Sequence, residues 1–532
     1  MTFGKTIPLR FVFLGLAFFA LENTCRSAVE SDHPCGDAGA QREASQGRQE
    51  TSLVQQEAEL REALRREPNN AVALARLGKM LAIENKSAEA QELLEKAIKL
   101  NPGDLEARRN LATSYYGSAQ LESARKNFEV VLKAHPDDSL SALLLGMVSE
   151  DLNDHARAAK LLGGILPLVQ QRPESVLALA KAYYHLGEPE KARGTLQLLM
   201  NHPAGPQAAF QGGRLAAKFQ DYGTAEKAFA AIQQSYPDRT AVNYNLALAQ
   251  YSAKKYEETE RTLKASIAEA RATPEIYALL GWTYAKQDRL QEMLTAFEKA
   301  INDDPGNPTH FLDLGNVLIE KKNYGTAMEV AKEAVKRYPG LSRAHSLQGS
   351  VELHMYLLSD ALKSYARAVE LDPNDPKAAL GYALALWNMD RNDEAARAFE
   401  EGSKKFASDA FFQLKYALFL VNAPGDRDAA QDARIKKQLK RAQALDDSDA
   451  ETHFQLASLA MKENNYKEAE QELLVAAKLD PELSKVHFLL ARVYRRTGRN
   501  EEAEKQTALH RKLKEAENQG ADTDAAIGTR HP

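Results

Sequence analysis

Small and apolar residues recur with a fixed period along most of this chain, among polar and charged residues. Gly281, Gly315 and Gly349 stand 34 residues apart. In the clearest units the small residue is followed, at constant offsets, by a bulky apolar residue, an alanine and a closing proline. These sets are Gly78, Ala90, Leu94, Ala97 and Pro102; Gly281, Phe297, Ala300 and Pro305; Gly349, Ala361, Tyr365, Ala368 and Pro373; and Ala457, Ala469, Leu473, Ala476 and Pro481. Apolar residues four apart share one helical face, so the pattern predicts repeated helix pairs.

The spacing has a physical cause. A small residue in the first helix of each unit lets the second helix approach closely. The closing proline lacks a backbone donor and ends the second helix. A period of this length indicates a solenoid. Its predicted units are 71–104, 105–138, 139–172, 173–206, 206–239, 240–273, 274–307, 308–341, 342–375, 376–409, 410–449, 450–483 and 484–515.

The pattern resembles the tetratricopeptide repeat over about residues 52–515. The resemblance implies an all-α, superhelical solenoid of about 12–13 tandem helix hairpins, with atypical first and last units. Three departures weaken single units. The 139–172 unit ends in Gly163, Gly164 and Pro167, Thr259 replaces an expected alanine, and Ala423 to Asp432 is an insertion.

The first 27 residues form a separate segment. Lys5 and Arg10 precede an apolar run over 11–21, and small residues follow at Ser27 and Ala28. This order is typical of a secretory signal peptide, and the run is short for a membrane span. An uncleaved membrane anchor is the alternative. We further predict a flexible polar tether over 28–51 and a disordered tail over 516–532.

The cysteines and the net charge limit which modifications and which partners the sequence supports. Cys25 and Cys35 are the two cysteines, and cleavage after Ser27 leaves Cys35 alone. The charged and polar residues before Cys25 argue against a lipid attachment site. The chain has 69 basic and 74 acidic residues, a formal charge of -5. That balance gives no reason to expect nucleic acid or an anionic membrane as the main partner.

The sequence contains no His-Glu-x-x-His, phosphate-binding glycine loop, Cys-x-x-Cys or nucleophile elbow. We therefore expect no catalytic residue, metal or cofactor. Several histidines fall near helix starts or turns, where solvated or packing roles are the default. They are His135, His202, His345, His453 and His487.

The resemblance implies an inner groove lined by the first helices. Its second, fifth, ninth and twelfth unit positions supply candidate peptide-binding residues: Tyr116, Tyr184, Phe210, Arg214, Tyr244, Tyr251, Trp282 and Trp387. Aromatic residues and arginine dominate binding hot spots. The alternative is that these side chains pack between neighbouring hairpins.

Two specialised relatives fit less well. Asn110 and Asn245 match positions of a chaperone-tail clamp, but Leu144 and Leu279 stand where arginine is needed. An asparagine ladder of the sugar-transferase type is also missing. The last hairpin is basic, with candidate docking residues Arg492, Arg495, Arg496 and Arg499. A solvated end unit is the alternative interpretation of those arginines.

We therefore predict an exported scaffold or adaptor in the periplasm, cell envelope or extracellular space. It would bind other proteins as extended peptides or helices. Membrane contact would come only through the signal peptide or an associated complex. The alternative is a subunit of an envelope secretion or polysaccharide-export machine. An enzyme whose active site carries no recognisable motif is a third hypothesis.

Overall fold

A computed structural model describes residues 54–200, 202–423 and 428–526, with side chains to residue 516. Every regular element in these ranges is an α-helix. The chain divides into unit 1, Met1–Thr283, and unit 2, Tyr284–Pro532. The predicted all-α solenoid of helix hairpins is thereby confirmed within each unit.

Unit 1 consists of consecutive hairpins. Its helices are α1 (54–66), α2 (Ala71–Ile83), α3 (Ser87–Leu100), α4 (Leu105–Gly117), α5 (Leu121–Ala134), α6 (Ser139–Asp151), α7 (His155–Gly163), α8 (Leu166–Val169), α9 (Pro173–His185), α10 (Pro189–Gln197), α11 (Pro206–Lys218), α12 (Tyr222–Ile232), α13 (Arg239–Ser252), α14 (Tyr256–Ala268) and α15 (Pro274–Lys286), whose last residues belong to unit 2.

Unit 2 continues the same pattern. Its helices are α16 (Leu290–Asp303), α17 (Thr309–Glu320), α18 (Tyr324–Arg337), α19 (Ser342–His354), α20 (Leu358–Leu371), α21 (Pro376–Asn388), α22 (Asn392–Lys405), α23 (Ala410–Asn422), α24 (Ala429–Leu445), α25 (Ala450–Lys462), α26 (Tyr466–Leu479), α27 (Ser484–Arg496) and α28 (Asn500–Ala526).

Short polar side chains start many of these helices. Asp104 accepts a hydrogen bond from the backbone N–H of Ala107, and Asp138 accepts from Leu140 and Ser141. Such caps satisfy N–H groups that have no partner inside the helix. In twelve of the described hairpins, all except α23–α24, the turn between the two helices contains one residue with positive φ, and these residues recur with the repeat. They are Asn85, Ala119, Asn153, Gly187, Gln220, Lys254, Asp288, Lys322, Tyr356, Asp390, Asn464 and Gly498.

The small residues of the first helices make the close approach that the period predicts. A Cβ atom on Gly78 would lie 2.6 Å from Leu94 Cγ, and one on Gly146 would lie 2.6 Å from Leu162 Cγ. Gly315 differs, because its Cβ would lie 2.5 Å from Leu347, which belongs to the next hairpin. The reason is that Ala331 occupies the bulky position of that unit, so a side chain from the following helix fills the space.

The predicted departures have local structural consequences. In the 139–172 unit the second helix is short, and α8 follows it as a separate turn. Thr259 is fully buried, and its Oγ1 donates to the carbonyl of Lys255 at 2.8 Å. This bond satisfies the hydroxyl that replaces an alanine methyl group.

The signal peptide, the tether, Cys25, Cys35 and residues 424–427 of the insertion lie outside the described residues. The last helix, α28, continues past the predicted end of the repeats at residue 515. Disorder of the tail in solution stays a prediction.

Candidate protein-binding faces

The first helices of successive hairpins touch one another within each unit. In unit 1, α2 contacts α4, α4 contacts α6, α6 contacts α9, and α9 contacts α11. In unit 2, α17 contacts α19, α19 contacts α21, and α21 contacts α23. We call the side of these contacting helices that carries the second, fifth, ninth and twelfth repeat positions the first-helix face.

Two predicted groove tyrosines in unit 1 donate hydrogen bonds to the following hairpin. The hydroxyl of Tyr116 donates to Asp151 at 3.1 Å, and that of Tyr184 donates to Asp221 at 3.0 Å. The Tyr184 ring also stacks on Phe219 with ring centroids 4.8 Å apart. Burial, and then the charge of Asp221, raises the pKa of Tyr184. Both side chains thus take part in contacts between repeats.

Asp221 is the acceptor at the centre of this contact. Its side chain is 8% exposed, and Arg193 Nε lies 2.8 Å from it. Burial alone would raise its pKa, but hydrogen bonds from Arg193, Tyr184 and Thr224 outweigh burial and lower the pKa. Since Asp221 also caps α12, one carboxylate ties three elements together.

The other unit 1 candidates differ in accessibility. Phe210 is 7% exposed, and its ring stacks on Tyr236 at 4.6 Å and meets Phe229 edge-on at 5.4 Å. It offers little surface to a ligand. Partly buried side chains occupy the remaining positions: Arg214, Tyr244, Tyr251 and Trp282. Which of them contacts a partner stays a prediction.

A buried charged cluster lies on the same face and was not predicted from the sequence. Glu150 is 5% exposed, and Lys181 Nζ lies 2.7 Å from one carboxylate oxygen and 2.8 Å from the other. His155 Nδ1 lies 3.6 Å from Glu150, and the His155 ring stacks on His185 at 4.0 Å. Glu150 and His155 lie in one hairpin, and Lys181 and His185 lie in the next. No short sequence motif contains all four, so the sequence alone does not predict the cluster.

Unit 2 presents a different first-helix face. Trp387 packs against Phe419 and Phe399 at ring-centroid distances of 5.5 and 6.3 Å. Beside it, apolar side chains follow α21 and α23 at helical spacing. Leu384, Leu418 and Val421 are partly buried against the core, and Phe411 is exposed. Phe411 is 58% exposed. The sequence signal for this stripe is a leucine at the ninth position of two adjacent units.

The predicted basic docking residues do not share one environment. Arg499 bonds Glu470 and Glu502 at 2.5 Å and lies 4.2 Å from the Tyr494 ring. Its charge is therefore already matched. Arg492 and Arg495 lie on another side of α27, near Phe488 and Thr507, and Arg496 is exposed.

Comparison with known proteins identifies the family to which these hairpins belong. Tetratricopeptide repeat models match residues 81–148, 216–282 and 357–417, then 278–342 and 454–509, and also 173–197. Together these matches cover more than half of the chain. The chain belongs to the tetratricopeptide repeat family. Proteins of this family act as protein-binding scaffolds, because a stack of hairpins offers a long surface to partners.

Individual relatives of this tetratricopeptide protein are distant. It is 25% identical over 415 residues to cellulose synthase operon protein C of Pseudomonas fluorescens, covering 65% of this chain and 32% of that protein. It is 22% identical over 365 residues to the BBSome complex member BBS4 of Bos taurus, covering 68% and 63%. The chain thus spans a third to under two thirds of these relatives. Yeast Tom70 is similar in structure, with a TM-score of 0.42, 16% identity, and coverage of 80% and 96%.

Three tetratricopeptide hairpins of unit 2 contain a histidine that hydrogen-bonds the backbone of the preceding turn. The Nε2 atoms of His345, His453 and His487 bond the carbonyl oxygen six residues earlier, at 3.0, 3.1 and 2.9 Å. All three hold the fourth position of their unit. His453 and His487 are buried, so the packing role of these two histidines is confirmed. Their role is to hold the turn between repeats.

Neither metal nor membrane chemistry is visible in the ranges that the structure covers. Among those residues no three His, Cys, Asp or Glu side chains are placed to hold a metal ion. None of their helices has the length and apolar character that crossing a bilayer requires.

Proposed function

We propose that this tetratricopeptide protein is a scaffold that captures partner proteins on its first-helix face in the cell envelope. The observation that carries the proposal is the apolar stripe of unit 2, in which Phe411 is 58% exposed and Leu384, Leu418 and Val421 are partly buried beside it. An amphipathic helix or extended peptide can bury apolar side chains on such a stripe. Exposed apolar surface of this kind marks interaction sites on soluble domains.

Unit 1 has a polar first-helix face of its own. Its tyrosines and charges are held by neighbours, so they present a rigid polar surface. Rigid polar groups specify register at little entropic cost, whereas apolar anchors supply most of the affinity. For unit 1 by itself, the proposal names the partly buried Tyr244, Tyr251 and Trp282 as the residues that select partners.

Capture from envelope extracts tests this assignment. We expect a Leu384→Ser/Leu418→Ser variant to lose partners that the unaltered protein retains, and a Tyr244→Ala/Trp282→Ala variant to change which partners are retained. Leu474→Ser is the control for loss of a leucine elsewhere, because Leu474 is 49% exposed on a second helix, α26. Since Leu384 and Leu418 are partly buried, an unchanged circular dichroism spectrum must show that their variant is folded. Cross-links between the partner and α21 or α23 would support the site. Unchanged partners in both first-helix variants would contradict it.

Envelope location is a separate part of the proposal and has its own test. The basic start, the apolar run over 11–21 and the small residues at Ser27 and Ala28 support export. We expect the protein recovered from the envelope to begin near residue 28. Recovery of the full chain from the cytoplasm would contradict export.

A second candidate is a subunit of an envelope polysaccharide-export machine. The similarity to cellulose synthase operon protein C over 415 residues favours it. Such a subunit should co-purify with an outer-membrane pore or a synthase. A free adaptor should fractionate without either of them.

A further inference from the structure

The last hairpin bears a depression on the surface that α27 and α28 share. It has a volume of about 350 Å³. We call this surface the end face. It is lined by Phe488, Ala491 and Arg495 of α27 and by Thr507, His510 and Arg511 of α28.

The repeat shows what such a surface receives. One period earlier, the equivalent positions are Phe454, Ala457, Met461, Leu473, Ala476 and Ala477. Those residues pack in one apolar cluster with Val486, Leu490 and Val493 of α27. At that boundary, therefore, the shared surface of one hairpin accommodates the first helix of the next.

The end face differs in chemistry while keeping this shape. Thr507, His510 and Arg511 stand where the preceding hairpin has Leu473, Ala476 and Ala477. Polar side chains there prevent another apolar hairpin from stacking, which is a usual property of a terminal repeat. One large aromatic ring nevertheless stays exposed among these polar side chains.

Phe488 is that ring. It is 48% exposed, whereas Phe454 at the equivalent position is partly buried beneath Lys485 at 4.6 Å. The His510 ring lies 5.3 Å from Phe488, and the Arg492 guanidinium lies 5.9 Å away. An apolar centre surrounded by polar groups is the usual arrangement of a docking site.

The charge of the rim indicates which partner fits. Arg495 and Arg511 are exposed, and Arg495 Nη2 is oriented by a 2.8 Å hydrogen bond to Thr507. Lys514 also lines the depression, where Glu515 is the acidic residue. The surrounding chain is slightly acidic overall, so this basic rim is a local feature. It complements carboxylates, and paired arginines bind these with particular strength.

We propose that the end face is a docking site for an acidic amphipathic α-helix of a partner protein. The helix would lie where the first helix of another repeat lies at the preceding boundary. One apolar side chain would cover Phe488, and carboxylates on the adjoining turns would pair with Arg495 and Arg511. Phe488 and Arg495 hold the fifth and twelfth positions of the last unit, so the end face is the last hairpin's part of the first-helix face together with α28. The proposal therefore rests on partner binding to this face and adds a partner chemistry that the basic rim alone provides.

Fluorescence anisotropy on the full chain tests the proposal with a synthetic probe. The probe is a fluorescein-labelled helix of about four turns with leucine on one side and glutamate on the other. Its counterpart carries lysine in place of glutamate. We expect the glutamate helix to bind the unaltered protein and the lysine helix to bind at least about tenfold more weakly.

Charge reversal provides the decisive comparison. Arg495→Glu/Arg511→Glu should invert the preference, so that the lysine helix binds and the glutamate helix does not. That gain of binding also shows that the variant is folded. Lys363→Glu/Lys404→Glu is the matched control, since it makes the same charge change at side chains 74% and 73% exposed on other hairpins. Phe488→Ser should weaken the glutamate helix about tenfold.

Several outcomes would overturn the proposal. One is absence of binding to the unaltered protein, and another is equal weakening by the two charge-reversed variants. Full retention of binding by Phe488→Ser would show that the depression is not used. Binding to phosphatidylglycerol vesicles that requires Arg495 and Arg511, without binding of the glutamate helix, would assign the face to a membrane surface. The Leu384→Ser/Leu418→Ser variant should bind the probe normally, so failure of the proposed function is separable.

Discussion

The first-helix faces of the two units are built on the same repeat but have opposite character. In unit 1 the face carries Tyr116, Tyr184, Glu150 and Lys181, each bonded to a neighbour in another hairpin. In unit 2 it carries a stripe of apolar side chains that includes Phe411. The named polar side chains of unit 1 join neighbouring hairpins, whereas the stripe of unit 2 leaves the Phe411 side chain 58% exposed.

The contrast shows which repeat positions are constrained. The small residues and the bulky residue between helices must fit one another, so they change little from unit to unit. The first-helix face is bounded by solvent on one side, so its residues can vary without breaking the hairpin. In unit 1 the residues at these positions make contacts between repeats. In unit 2 we propose that they bind partners.

The largest expected effect comes from breaking the buried pair of unit 1. Lys181→Ala leaves Glu150, which is 5% exposed, without its ammonium partner. An unpaired buried charge is strongly destabilising, so we expect a loss of about 2–4 kcal/mol. Hydrogen exchange of the α6 and α9 peptides measures this locally.

Lys191→Ala is the control for that change. Lys191 is 61% exposed and pairs with Glu188 at 3.0 Å. Exposed pairs contribute less than about 1 kcal/mol. Equal loss of protection in the two variants would mean that unit 1 does not depend on its buried pair, and the contrast between the faces would fail.

A smaller effect is expected from Tyr184→Phe. The change removes the hydroxyl that donates to Asp221 at 3.0 Å and keeps the ring on Phe219. A hydrogen bond to a charged group at a half-buried site is worth about 1–2 kcal/mol. Exchange at the start of α12 should therefore rise.

Tyr356→Phe supplies the comparison from unit 2. Tyr356 is 61% exposed in a hairpin turn, so loss of its hydroxyl should change stability by less than about 0.5 kcal/mol. If Tyr184→Phe is as mild as Tyr356→Phe, the Tyr184 hydroxyl does not hold the hairpins together, and a role for it in ligand binding is favoured instead.

The smallest expected effect is a difference in pH dependence. His185 stacks on His155, and desolvation followed by the charge of His155 lowers the pKa of His185. His354 of unit 2 stacks on Tyr324, and desolvation lowers its pKa as well. A histidine with a lowered folded-state pKa binds fewer protons folded than unfolded. Stability is therefore lost as pH falls below about 6.5.

The two stacked pairs differ in the residue whose ring lies against the histidine. The charge of His155 is one cause of the lowered pKa of His185, whereas desolvation is the cause at His354. Exchange protection around α9 should thus fall more between pH 7 and 5 than protection around α19. His155→Gln should remove the excess, and an unchanged profile in that variant would refute the stacked pair as its source.

The hairpins were predictable from the sequence, and the candidate sites only in part. Gly78 and Leu94 meet as the period requires, because both lie within one repeat and their contact is local. Phe210 holds a groove position by numbering, yet its ring is enclosed by Phe229 and Tyr236. The position of a residue in the repeat predicts which way its side chain points. It does not predict which side chains pack around it.

Polar contacts differ in how far the sequence indicates them. His345, His453 and His487 hold the same repeat position, and a recurrence of this kind is visible in the sequence itself. Glu150 and Lys181 have no such signal, since their pairing depends on how far one first helix lies from the next.

The period, the helices and their turns follow from the order of the amino acids alone. Caps and prolines act over a few residues, so their effect depends mainly on the neighbouring sequence. Side-chain accessibility, in contrast, is set by the packing of whole hairpins. Phe454 and Phe488 occupy the same repeat position. Phe454 packs against α27, the first helix of the next hairpin, and is partly buried. Phe488 lies on α27 itself, where no further described hairpin packs against it, and its side chain is 48% exposed.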